Sequence, residues 1–455
     1  MADPVTAEPE ELRAPELPPH GAAALLRRRD FRHLYLAVCA SELGDALHYI
    51  ALMWFALVAA GPLGVVAVRL ADSIPALLFG LHGGLIADRM ERKRVMVLAD
   101  LSRALVLIPV AIGGLLGDLP IWGLVLAAFA LEAATSYFEP AYGALMPALV
   151  ERRNVQTANG LVQATANALS IGGWAAAAGL VAVMPISAFF ALNAASFLAS
   201  AALISGIAHT SGRGAGTTQP SIRAGVAAVR CLPSLAVAVV VLGVAVTISS
   251  GTWIGGIPEL VRSTLHRGAG GFSVVLVGYA VGAVVGGAAL ARRPVRRKAR
   301  GSLLAWTLYL PGYGLIAFAG SLPLVVLGAL ACGLGQASAV VLINASAQEQ
   351  VPDAVLGRVS GLISLVHRGA HATGLLFVAP LFAVVAPRTV FAAAAIALPL
   401  VGLAGAAVAA RATAAQDVAA PDVSSGDRRN AGPVPNPHPP GEHPLDREGA
   451  TEMRR

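Results

Sequence analysis

Glu42, Asp45 and His48 follow one another at intervals of three inside a stretch otherwise built of apolar and small residues, and Glu132, Ser136 and Glu139 make a comparable stripe in a second such stretch. A third stretch carries Ser364, His367, Arg368 and His371. Carboxylates and imidazoles exchange protons, and a guanidinium pairs with anions. None of these groups sits cheaply in apolar surroundings, where a charge at mid-bilayer costs at least about 2.5–3.5 kcal/mol unless it meets water or a partner. Asp45 and Glu132 are therefore candidates for carboxyls that face a central cavity and take up a proton. Arg368 and His371 are the candidate counter-charges, with Glu42 and His367 as secondary members. The structural alternative for Asp45 is a hydrogen bond to a neighbouring helix. For Arg69 and Asp72, three residues apart, it is mutual neutralisation. His367 and His371 have a spacing that could hold a metal, but Arg368 lies between them and no carboxylate is at hand, so no metal is expected.

The elements that must position these residues follow from composition. Hydrophobic residues make up 56% of 455 positions and charged ones 13%, too little polar surface to cover a soluble globule. The apolar material falls into runs long enough to cross a hydrocarbon core of about 30 Å as helices. No period-two alternation supports a barrel. Twelve transmembrane helices are expected, at about 33–58, 64–86, 96–116, 121–143, 157–182, 186–207, 234–257, 272–291, 302–319, 323–346, 358–383 and 388–410. The N-terminal flank and alternate loops carry twenty Arg and Lys against three, Arg262, Arg267 and Arg388, in the opposite loops. The bias places the twenty, and both termini, in the cytoplasm. The pI near 9.8 is thus a topology signal. It does not point to nucleic acid, since the basic residues are dispersed and lack interleaved aromatics.

Residues 1–30 and 412–455 read as disordered cytoplasmic ends, the latter rich in Pro and polar residues, and no cleavable signal peptide precedes span one. Cys39, Cys231 and Cys332 read as small apolar residues. An internal repeat divides the remainder. "VERRNVQTANGL" (150–161) aligns with "VPDAVLGRVSGL" (351–362), and "ADRMERKR" (87–94) with "ARRPVRRK" (291–298), both at an offset of about two hundred residues. The chain is read as an all-α membrane protein of two pseudo-symmetric six-helix halves, 31–208 and 233–411, joined by a cytoplasmic loop at 209–232.

"GGLIADRMERKRV" (83–95) between spans two and three is similar to the signature loop of the major facilitator superfamily, matched at Gly84, Asp88, Arg89, Arg92 and Lys93. Glu91 stands where most members have Gly. With "FRHLYLAVCASELGD" (31–45), "YFEPAYGALMPALV" (137–150), "ANGL" (158–161) and "VPDAVLGRV" (351–359), the chain resembles the branch of the enterobactin exporter and macrolide efflux proteins. It departs from the superfamily pattern in two places. Span four has Glu132 but no Arg, and "GGWAAAAGL" (172–180) lacks the Pro of the drug-antiporter motif.

The resemblance implies a secondary carrier working by alternating access, a proton-driven exporter of a hydrophobic or amphiphilic small molecule in a bacterial inner membrane, monomeric and without cofactor. An uptake symporter, a transport-inactive sensor and a membrane-embedded enzyme are the alternatives. The resemblance further implies that Asp88 meets the start of span eleven near Arg358 and latches the cytoplasmic side shut, where a carboxylate is favoured by a helix N-terminus. Arg89, Arg92 and Lys93 are expected to fix this gating loop by pairing with Glu91, Asp100 or headgroups. A phosphate-binding Gly-x-x-x-x-Gly-Lys-Ser/Thr loop is missing, which excludes an ATP-driven pump within this chain.

Overall fold

The computed structural model of the chain describes residues 22–151, 154–208, 222–292 and 295–419. These residues are helical, without strands. The helices are α1 (Ala22–Arg27), α2 (Arg29–Arg89), α3 (Arg92–Leu116), α4 (Ile121–Leu145), α5 (Val155–Leu180), α6 (Ala188–Ser205) and α7 (Ile222–Arg230), followed by α8 (Pro233–Glu259), α9 (Ala269–Arg292), α10 (Lys298–Ala305), α11 (Tyr309–Phe318), α12 (Leu322–Gln350), α13 (Asp353–Phe377) and α14 (Pro387–Ala419).

Among the described residues ten helices are long and apolar enough to cross a membrane. Two features reconcile that number with an expected dozen. Spans one and two run together as α2, broken at Ala60 and at Gly61, whose φ of 62° and ψ of −157° suit a residue without Cβ. Pro62 then opens the second arm at a position where a proline's missing N–H costs nothing. The other feature is α5, as long as its neighbours but polar in its first half, where Gln156, Asn159, Gln163 and Asn167 are all exposed. Gln163 donates to Asn167 at 3.1 Å. Such a stripe lowers the helix's mean hydropathy and is tolerated where the backbone lines water rather than lipid.

The same pairings recur in both halves. In the first, α2 packs against α4 and α5, and α3 against α6; in the second, α9 against α12, α8 against α13, and α11 against α14. The second half is centred on an aromatic stack in which Tyr309 and Tyr313 meet at 4.9 Å and Tyr313 meets Phe391 at 5.2 Å. The Tyr313 hydroxyl donates to the Ser249 carbonyl at 2.9 Å.

Helix reaches further than the sequence reading allows. Residues 22–30, read as disordered, are helical because Leu25, 2% exposed, packs with Phe31 and Leu34. The loop 209–232 contains α7, whose Val229 is buried. The last helix passes residue 411 to end at Ala419 through "ATAAQDVA", dominated by the strongest helix former. Residues 1–21, 209–221 and 420–455, which include most of the ends expected to be disordered, lie outside the described residues.

Among the described residues the halves meet at the end away from the basic loops. Near the end of α5, Val181 and Ala178 approach Gly270 at the start of α9, where a Cβ on the glycine would stand 3.2 Å from the Val181 side chain. Tyr49 of α2 stacks on Phe272 of α9 at 6.4 Å. At the opposite end, which carries the basic loops, a Cβ added at Gly84, Gly160 or Gly361 would meet no atom within 4 Å. The molecule is closed away from the basic loops and open toward them.

Candidate functional site

Along α2 the residues Glu42, Asp45 and His48 fan out rather than share a face, because steps of three residues turn a helix by 300° and rotate each side chain about 60° from the last. Glu42 accepts from the Ser170 hydroxyl of α5 at 3.4 Å, and the His48 ring lies against Phe190 of α6 at 5.4 Å. Asp45 accepts from Asn193 Nδ2 of α6 at 3.0 Å. It is exposed, although Leu34, Ser41, Leu52 and Ala56 on its side of the helix are buried. Leu36 and Leu43, the exposed apolar residues, lie on the opposite side. Asp45 therefore lies on the protein-facing side of its helix, not the lipid side, and lines neither of the cavities described below.

Behind it lies a charge pair that the sequence reading did not single out. Arg103 of α3, 5% exposed, donates from Nη1 to Asp100 Oδ1 at 3.0 Å, and the Ser200 hydroxyl donates to Asp100 Oδ2 at 2.6 Å. The guanidinium stands over the rings of Phe138 at 4.5 Å and Phe197 at 5.1 Å, which provide cation–π stabilisation where water is excluded. Asp100 was expected to pair with the basic loop and instead serves Arg103, one helical turn away. The signal was legible, since opposite charges at i and i+3 inside an apolar run mark a buried pair. Arg103 also lies within electrostatic reach of Asp45 and Glu132.

Glu132 of α4 is half-buried and within electrostatic reach of Asp72, Glu139 and Arg69. Arg69 Nη1 meets Asp72 Oδ2 at 2.5 Å, while its Nε is buried without a partner. This guanidinium looks onto a cavity of about 230 Å³ between the halves, lined also by Tyr49, Trp253, Tyr279, Gln336, His367 and His371. His371 thus reaches the central space. Arg368 does not enter that cavity. It lines a second one, also about 230 Å³, with Asn344, Ser364 and His367. Among the described residues Arg368 has no ion pair, so the structure does not join it to Asp45 or Glu132. A helix that turns 100° per residue cannot aim Arg368 and His371 the same way.

The basic loop between α2 and α3 is anchored differently from expectation. Glu91 pairs with Arg94 at 2.6 Å. Arg92 donates to the Ala144 carbonyl at 3.0 Å and Lys93 to the Ile207 carbonyl at 2.9 Å, so both cations sit at the C-terminal ends of α4 and α6, where unpaired carbonyls and the helix dipole favour positive charge. Arg89 is exposed. Gly83 packs so closely on α4 that a Cβ would stand 2.1 Å from the Ser136 carbonyl, whereas Gly84 borders open space. The Asp88 side chain lies outside the described residues.

Two sets of helices with like pairing, around an interhelical polar cavity, have the fold of the major facilitator superfamily. Within it the chain belongs to the transmembrane secretion effector family, whose profile matches residues 20–433. It is 29% identical over 166 residues to YfiS, an MFS-type transporter of Bacillus subtilis (strain 168), covering 36% of this chain and 39% of that one. It is 29% identical over 129 residues to macrolide efflux protein A of Enterococcus faecalis, covering 28% and 40%. The matched region thus spans about two fifths of these curated relatives. Among solved structures, the nucleoside transporter NupG superposes with a TM-score of 0.67 at 13% identity, covering 83% of this chain and 99% of that one. A bacterial homologue of the iron transporter ferroportin, in its inward-facing state, gives 0.63 at 18% identity, covering 84% and 99%. These likenesses show the fold; the family and its relatives are transporters, not enzymes.

Proposed function

We propose that this transporter exports a hydrophobic or amphiphilic small molecule in exchange for protons. The observation that carries the reading is the placement of Asp45 and Glu132 on one half, Asp45 on the inward face of its helix and Glu132 half-buried within reach of Arg69 at the central cavity, across from His367 and His371 on the other. A carboxyl there has different electrostatic surroundings in the two packings of the halves, and only such a difference lets a proton shift the equilibrium between them. The relatedness to macrolide efflux proteins supports export.

In this reading the basic-loop end and both termini are cytoplasmic in a bacterial inner membrane, by the distribution of Arg and Lys, and the chain acts as a monomer. The described state is then open to the cytoplasm. The Asp88 latch to the start of α13 near Arg358 belongs to the alternative, outward-open state, since Gly84 and Gly361 border open space here.

The test is flux in proteoliposomes across an imposed pH step. Export reading requires that acidifying the extracellular side drives substrate toward it. Substrate moving with the protons instead would establish the uptake symporter.

A further inference from the structure

Between residues 233 and 411 the only acidic residues are Glu259, Glu349 and Asp353. Glu259 is held by Arg262 at 3.0 Å and Glu349 pairs with Lys298. Asp353 begins α13, fifteen residues before Arg368 and about 22 Å from it along the helix. Among the described residues of its own half, nothing neutralises Arg368. The carboxylates of the other half are largely committed within that half: Asp45 to Asn193, Asp72 to Arg69, Asp100 to Arg103 and Ser200, Glu42 to Ser170. An unpaired guanidinium inside a transmembrane segment is retained only where it faces water or a ligand of opposite charge.

The two cavities adjoin at His367, which lines both. One offers the Arg368 guanidinium and the Ser364 hydroxyl, which has no bonding partner among the described residues. The other is walled by Tyr49, Trp253 and Tyr279, the last two with ring centroids 4.6 Å apart. No carboxylate lines either cavity. Each is below the range of about 300–1,000 Å³ in which small-molecule sites fall, and together they lie within it.

Resting on the transport reading above, we propose that the substrate is an organic anion with a flat aromatic body: its carboxylate, or an equivalent acceptor group, docks on Arg368 beside His367, and its ring lies among Tyr49, Trp253 and Tyr279. A guanidinium presents a planar fork that takes a carboxylate through two parallel hydrogen bonds, and the aromatic walls supply stacking area. Cationic amphiphiles would meet unneutralised positive charge at one end of this site.

The experiment is equilibrium binding to the full-length protein in nanodiscs, without any gradient, of three isosteric probes: 2-naphthoate, 2-naphthamide and 2-naphthylmethylammonium. The naphthoate should bind at least about tenfold more tightly than the other two, the scale of a charge-assisted pair. Arg368→Gln should abolish that preference while still binding the amide, which shows the fold intact; Arg368→Lys should keep part of it. Equal binding of the three probes, preference for the cation, or a naphthoate preference that survives Arg368→Gln would overturn the proposal. Because no gradient is involved, a failed pH-driven flux assay bears only on the transport reading, whereas a lost anion preference bears only on this site.

Discussion

The two halves share their helix pairings and differ in sign. The first carries six carboxylates in or near its spans, Glu42, Asp45, Asp72, Asp100, Glu132 and Glu139, answered by Arg69 and Arg103. The second places Arg368, His367 and His371 on α13 with no acid beside them. In the mechanism proposed above, these equivalent scaffolds carry complementary tasks, proton exchange in the acidic half and anion recognition in the basic one.

Breaking the acidic half at its most buried point should have the largest effect. Arg103→Ala leaves Asp100 buried, with only Ser200 for a partner, and is expected to cost about 3–5 kcal/mol. Thermal unfolding of the purified protein should fall sharply, and replacing Asp100 by Asn as well should restore part of the loss. An Arg103→Ala protein as stable as the parent would show the pair to be solvated.

Asp88→Asn tests the basic-loop end, with a smaller effect. Transport should weaken several-fold while insertion is unchanged, because the amide keeps the shape and loses an interaction of about 0.3–1 kcal/mol with a helix N-terminus, more if partly buried. Cysteines at 84 and 361 should cross-link only when substrate drives that end shut, and cysteines at 181 and 270 should cross-link in the substrate-free protein. Reversed behaviour of the two pairs would contradict the open end seen here. Glu42→Gln should change least, less than about twofold, since its contact with Ser170 at 3.4 Å is a long hydrogen bond that an amide can also make.

Much of this was legible in sequence. Apolar run length anticipated the helices, and the signature loop anticipated the family. Side-chain partners were less legible because helical phase decides them. Glu42, Asp45 and His48 look like one stripe in sequence yet reach three different places, and Arg92 and Lys93, read as ion-pair donors, serve helix ends that lie 52 and 114 residues further along the chain. Arg103 escaped notice because its partner was assigned to the loop. The polar first half of α5 explains why hydropathy alone undercounts the spans.

The central claim is that Asp45 and Glu132 couple proton entry to export, and the most direct measurement of it is flux in proteoliposomes, with and without a pH step, comparing the parent with Asp45→Asn and Glu132→Gln. The account predicts that at least one of these variants exchanges substrate down its gradient at the parental rate yet no longer concentrates it when the step is applied. If both variants still concentrate substrate in response to the step, neither carboxyl carries the coupled proton, and the division of labour between the halves is wrong.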